Sequence, residues 1–469
     1  MTQEADSSDL IFNGIDGASG TPYYPSLTAD EVATLALGRP PDAQAVARAR
    51  RRTAAERPHL GLRDGYDPRL LADGGWGVIF ARDADPVFQE ALAPLVAHRQ
   101  LQATARDERR FRVFAGADGV RPGEGPDDFL ARHHMSLDAA DPNVVPYNLL
   151  LVGNPEEISW DFQSGLDLQY AVGRIAFETA DETGRYAGAV IAGETGTAVP
   201  AGPRKAAFFG VRNPGDRPTL LAAEHLLGRV AATVEAGQPA WSVERIVGEG
   251  ATKARLTHLL GGGETPAFLF TTSHGMGFPK DDPRQPPHQG ALLCQDWSGS
   301  GPISEDHYLA GDHLAVDARP GGLIAFFFAC HGAGTPRHNL FPERGGEARE
   351  LAGRPFAARL PHRLLAQGAL AVVGHVERTW GYSFLWEGAG AQTAPFEDSV
   401  KRLLDGWPVG AALETFVLRR AFLTDQLHAA IKRIDSGEPV DAKKLTRLWT
   451  AHSDSRAFVL LGDPAVRLP

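Results

Sequence analysis

The chain reads as an α/β protein with two doubly wound, mostly parallel sheets. Short, continuous runs of β-branched and aromatic residues recur along it, the pattern of strands buried on both faces. Helix-length stretches alternate with these runs, which implies right-handed crossovers between parallel strands. A third observation is size: 469 residues exceed one ordinary core, so two or three domains are expected. The 52 glycines and 34 prolines suit a loop-rich fold of this kind.

Residues 1–65 read as an irregular segment followed by a helix over Thr28–Arg57. Arg48, Arg50, Arg51 and Arg52 cluster within it, as a docking patch, a processing site or simply a solvated helix face. A smaller α/β unit is expected over 66–200. Its strands are Trp76–Ala81, Phe111–Phe114, Tyr147–Val152 and Tyr170–Ile175. Its helices are Pro86–Ala103, with proline in the first turn, and Asp127–His134. The Pro- and Gly-rich stretch Gly193–Pro203 marks the boundary with a larger unit over 201–469.

In the larger unit the expected strands are Lys205–Val211, Ser242–Val247, Pro266–Thr272, Gly322–Ala329, Ala369–Gly374 and Arg456–Gly462. Helices fall at Thr219–Ala236, Thr252–Leu260, Pro355–Gln367 and Val409–Leu427. Gly261-Gly262-Gly263 ends a helix before a strand and lacks the Lys-Ser/Thr of a phosphate loop. Gly277–Arg319 is long, polar and rich in Pro and Gly, as functional loops often are.

Two of these strands end on reactive side chains. Pro266–Thr272 runs into Ser273-His274-Gly275, and Gly322–Ala329 runs into Cys330-His331-Gly332. Ligands of open α/β sheets bind just beyond the carboxyl ends of strands. An imidazole and a thiol are therefore presented at the reactive rim, with glycines that let a substrate backbone approach. A thiol attacks a peptide carbonyl as thiolate, so it needs a base; His274 can take that proton and return it to the leaving amine. The amides of Gly275 and Cys330 are the candidate oxyanion hole, worth about 2.7–4 kcal/mol per donor. Cysteine-dependent peptide hydrolysis is the chemistry this pattern supports. His331 would point to the opposite side of an extended backbone, and Cys294 has no adjacent glycine turn, so it reads as buried or substrate-adjacent.

Other readings are weaker. Either residue alone is more simply a core cysteine or a capped histidine. His274, His288, Cys294, Cys330 and His331 could be imagined around zinc, but no pair of them shows C-x₂₋₄-C or H-x₃₋₅-H spacing, and the chain has no HExxH. No metal or cofactor is called for. Gly299-Ser300-Gly301 is not a G-x-S-x-G elbow. The net charge of −11 argues against nucleic acid and anionic membrane as partners. No apolar run approaches the ~20 residues that span a bilayer. The polar, acidic start and the presence of only two cysteines fit a cytoplasmic location.

The motifs around the thiol and imidazole resemble the gingipain-like branch of the caspase-fold (clan CD) cysteine peptidases. The resemblance rests on FTTSHGMG around His274 and FFFACHGAG around Cys330, which follows 56 residues later. ALAVVGHVERTWGYSF is similar to the strand whose loop carries an aromatic wall of the specificity pocket, with Trp380 in that place. FVLLGDPAVRL is similar to the closing strand with its Gly-Asp-Pro turn, and YNLLLVGNPEEI with YAVGRI to the noncatalytic subdomain. The resemblance extends from about residue 145 to the end. It implies a caspase-like catalytic domain preceded by a smaller noncatalytic α/β subdomain, a Cys330–His274 dyad, and a thioacyl-enzyme. It also implies cleavage after Arg or Lys, with Asp216 or Glu377 as acidic partner, although Asp216 reads equally well as a helix cap. Implied partners are a protein or peptide substrate and an activating protein or protease. Lacking a signal peptide, the chain suits an intracellular regulatory or defence role. A catalytically inactive scaffold with the same fold is the alternative, and no third catalytic residue is identifiable.

Overall fold

The computed structural model describes residues 13–23, 61–135, 139–196, 204–339, 349–386, 389–438 and 441–468. The expected helix Thr28–Arg57 and its arginine cluster lie outside the described residues. All ten expected main strands form, most of them a residue or two shorter than the apolar runs that specify them. They are β1 (Trp76–Phe80), β2 (Phe111–Phe114), β3 (Asn148–Val152), β4 (Ala171–Ile175), β5 (Lys205–Gly210), β6 (Ser242–Val247), β7 (Phe268–Thr272), β8 (Ile324–Phe328), β9 (Ala371–His375) and β10 (Phe458–Gly462).

The two expected sheets are halves of one. The strands form a single ten-stranded sheet in the order β2-β1-β3-β4-β10-β9-β8-β7-β5-β6. The last strand, β10, closes it by pairing parallel to β4 at Leu461–Arg174 and antiparallel to β9. Every other neighbouring pair is parallel. The seam depends on close backbone approach, because a Cβ on Gly173 would lie 2.1 Å from the Gly462 carbonyl oxygen. It also depends on a buried polar network. Asp463 accepts from Trp76 Nε1 at 3.0 Å and from Arg99 Nε at 2.7 Å, and Arg99 in turn holds Glu194. The Gly462-Asp463-Pro464 turn thus ties the closing strand to the first half of the sheet.

Helices cover both faces. One expected helix is broken into Arg217–Leu221, a π-helical turn at Ala222–Leu227 and Gly228–Gly237. Another divides into Val409–Ala412 and Glu414–Asp435. Trp160–Leu166, Ala180–Thr195, Ala394–Leu404 and Ala442–Ala457 are helical although the sequence did not single them out. Ala180–Thr195 carries three glycines, each of which weakens a helix. It forms because Thr179 caps it and tertiary packing buries Tyr186, Ala187 and Val190. Phe270 of β7 stacks on Phe326 of β8 at 4.9 Å between centroids, and Phe396 and Phe416 from covering helices pack on Phe326. This aromatic layer fixes the two strands that carry the candidate site. Among the described residues, no helix is long and apolar enough to cross a membrane.

Beyond the carboxyl end of β7 the chain enters a second, four-stranded sheet. Its order is Gly14–Asp16, Gly275–Gly277, Leu292–Leu293 and Tyr308–Leu309. The stretch expected to be a long loop after Gly277 therefore contributes two short strands to this sheet.

Candidate active site

Register brings the backbones of His274 and Cys330 to the same sheet edge. β7 and β8 pair in parallel with Thr272 opposite Phe328, so the residues two positions on, His274 and Cys330, leave the sheet edge side by side. Ser273 N–H still donates to Phe328 O, which continues the pairing one step further. Gly275 is obligatory here: a Cβ would lie 1.7 Å from the Cys330 carbonyl oxygen. His274 and Cys330 are both buried.

The imidazole is oriented by Asp216. His274 Nε2 lies 2.8 Å from Asp216 Oδ2. Asp216 sits after β5 as N-cap of Arg217–Leu221, where its Oδ2 also accepts from Thr219 Oγ1 at 2.6 Å and from Thr219 N–H at 3.3 Å. Burial acts to raise its pKa, but the charge of His274 and the hydrogen bonds from His274 and Thr219 outweigh it. The carboxyl is held below the ordinary range. The loop is anchored by buried Asn213, whose Nδ2 donates to Cys294 O and Trp297 O. Asp216 was expected as an acidic partner for a substrate side chain or as a helix cap; it is the cap, and the imidazole engages the same carboxylate. The other imidazole nitrogen, His274 Nδ1, is buried without a hydrogen-bond partner among the described residues.

Cys330 Sγ accepts from Thr379 N–H at 3.1 Å. Burial pushes the thiol up to about 12 against the opposing effects of that hydrogen bond and of Arg378. The backbone then turns sharply, with His331 at φ 58°, an uncommon conformation for a residue with a Cβ. His331 N–H donates to Glu377 O at 2.6 Å, and its Nδ1 lies 3.1 Å from Thr335 Oγ1. Burial, followed by the charge of Arg378, lowers the His331 pKa to about 3, so this ring is a neutral structural group. Cys294 is also fully buried, and burial raises its pKa strongly.

Trp380 packs in the same apolar cluster as Cys330, Tyr23 and Leu351. Its backbone N–H donates to Asp454 Oδ1 at 2.9 Å, and the Arg378 guanidinium lies 5.9 Å from its ring. Glu377 is buried at φ 83° and pairs with Arg378 at 2.9 Å. The residues imagined around zinc are not one site. His288 instead lies with Glu305 and His313, with ligand atoms within 4.8 Å of one another. Thr379, Asp454 and Asn13 were missed in the sequence because each meets the site through backbone or a long-range fold contact.

No protein-family model matches the chain, and no curated protein matches it. Among solved structures it is similar to one titled simply as a protease, at 14% identity and TM-score 0.46, covering 84% of this chain and 78% of that one. It is also similar to the complex of Porphyromonas gingivalis RgpB pro- and mature domains, at 12% identity and TM-score 0.48, covering 84% and 80%. A third likeness is to the Saccharomyces cerevisiae separase–securin complex, at 10% identity and TM-score 0.32, covering 68% of this chain and 15% of that one.

Proposed function

We propose that the protein is a cysteine endopeptidase of caspase/gingipain type, with Cys330 as nucleophile and His274 as general acid and base. The observation that carries this reading is the side-by-side exit of the two residues from paired strands, with His274 Nδ1 left without a hydrogen-bond partner among the described residues. That nitrogen is available to take the thiol proton while Nε2 is held by Asp216. The thiolate adds to a peptide carbonyl, and the amides of Gly275 and Cys330 stabilise the oxyanion. His274 protonates the departing amine, then activates the water that hydrolyses the thioester. Asp216 is a positioning residue: it fixes the tautomer and stabilises the imidazolium.

A preference for Arg or Lys has weaker support. Asp216 is engaged by His274, and Glu377 is engaged by Arg378. A basic substrate side chain would have to displace one of them. Trp380, packed with Cys330, remains a candidate wall of the pocket.

Labelling with a peptide-based electrophile and mapping the modified residue tests the reading. Modification at Cys330, with peptide hydrolysis lost in Cys330→Ala and His274→Ala, is the expected result. Unlabelled protein with hydrolysis equal to that of Cys330→Ala would leave a scaffold without turnover.

A further inference from the structure

We propose that Asn13–Gly14 is a substrate bond of this same site, so that the enzyme cuts its own chain there and takes asparagine as the residue before the scissile bond. The inference rests on the peptidase reading above and adds to it a bond and a substrate class.

The Asn13 carbonyl oxygen accepts from Cys330 N–H at 3.0 Å and from Gly275 N–H at 3.3 Å. These are the two amides that the positions of the thiol and imidazole had already marked as the oxyanion hole. On the other side, Asn13 N–H donates to Thr379 O at 2.9 Å, and Thr379 N–H is the donor to Cys330 Sγ. The side chain is engaged as well: Asn13 Nδ2 lies 3.4 Å from Ser273 O, and the residue is 2% exposed. Beyond the bond, Gly14–Asp16 runs as a strand parallel to Gly275–Gly277, with Gly14 opposite Gly275. Both sides of one peptide bond are thus gripped by backbone hydrogen bonds, with its carbonyl in the position of a reacting one.

A buried carbonyl always seeks a donor, so one hydrogen bond alone would say little. Here the amide, carbonyl and side chain of a single residue are all held by groups lining the reactive edge. The following hairpin is a built element. Asp16 Oδ1 accepts from the Ala18 and Ser19 amides, Tyr23 Oη donates to Phe278 O at 2.6 Å, and Ile15 is buried. A Cβ on Gly277 would lie 2.4 Å from the Tyr23 ring, so the receiving strand is shaped for it.

In the step itself, the Cys330 Sγ–H proton moves to His274 Nδ1 and the sulfur bonds to the Asn13 carbonyl carbon. The Asn13–Gly14 C–N bond then breaks as the Gly14 nitrogen takes the proton. One water hydrolyses the thioester, giving an Asn13 carboxylate and a free Gly14 amine, and restores the thiol. Release of the segment ending at Asn13 uncovers Cys330 for other extended peptides with asparagine at this position.

The test is the intact mass and N-terminal sequence of purified full-length protein over time, alongside Cys330→Ala, Asn13→Ala and Asn13→Arg, and hydrolysis of a mixed peptide library. The expected result is a new Gly14 terminus in the parent, none in Cys330→Ala, and at least ~100-fold slower processing in both Asn13 variants. Spontaneous chemistry at an Asn-Gly step would cut Cys330→Ala equally, and so would overturn the proposal. Faster processing of Asn13→Arg would also overturn it, in favour of a basic preference. A parent chain that stays whole while cutting library peptides would refute it and leave the peptidase reading standing. A whole chain with an inert library would remove both.

Discussion

At the scale of the residue, the site works through who holds whom. Asp216 Oδ2 lies 2.8 Å from His274 Nε2, and under the proposed mechanism it acts by fixing that imidazole and touches no reacting atom. Asp216→Asn is therefore expected to lower kcat by about 10²–10⁴ with KM little changed. Steady-state kinetics on a cleaved peptide reads that split. A merely structural loss would lower the active fraction by active-site titration and leave kcat per active site intact. Cys330 carries a different expectation. Buried beneath Asn13, its thiol is pushed up to about 12, so almost none is thiolate near neutrality. In the uncleaved chain, alkylation by iodoacetamide at pH 8 should be roughly 10³-fold slower than for a free cysteine.

At the scale of the element, the hairpin at 13–23 lies across the reactive edge, where Asn13 O accepts from the Cys330 and Gly275 amides, and is expected to govern access to the thiol. Ile15 packs with Met276, Phe278, Leu293 and Trp297, so its burial supplies much of the apolar hold on the segment. Ile15→Asp places an unpaired carboxylate there, at a cost of several kcal/mol if it stays docked. The expected outcome in uncleaved protein is an undocked hairpin and Cys330 alkylation faster by at least ~10-fold, measured by peptide mass mapping. Unchanged reactivity would mean that the hairpin does not control access. The helical elements teach a related point. The polar composition of Ala442–Ala457 obscures its periodicity, yet packing buries Leu445, Leu448 and Trp449 and makes it helical.

At the scale of the whole molecule, the seam between the two halves of the sheet is the sensitive place. Asp463 is fully buried and bonds Trp76, Arg99 and the Ala465 amide. Asp463→Ala leaves the Arg99 guanidinium, among the described residues, with Glu194 and Gln102 as partners and is expected to cost about 3–5 kcal/mol, read from urea unfolding. Acid should also destabilise the fold. Burial, and then nearby arginine charge, lowers His331 to about 3 and His362 to about 4. Their folded values lie below the unfolded one, so their contribution is full above about pH 6.5 and is lost as pH falls toward 4 and 3. Each unit of pH in that window removes about 1.4 kcal/mol per histidine. His362→Gln, away from the site, should flatten the pH dependence of the urea midpoint between pH 7 and 5.

Much of this was legible in the sequence because buried parallel strands announce themselves. The runs ending at Thr272 and Phe328 specified β7 and β8, and glycines after His274 and Cys330 marked a close-packed edge. Those are local signals, and local sequence carries them. It could not say that two sheets are one, since that depends on β10 returning from the far end of the chain to pair with β4. Nor could it choose between cap and substrate partner for Asp216, or find Asn13, which is 261 positions from His274. Hydrogen bonds across such separations leave no periodicity behind. The sequence by itself determined which atoms could react, and only the tertiary structure decided what holds them and what lies across them, because that geometry is set by register and packing between distant segments.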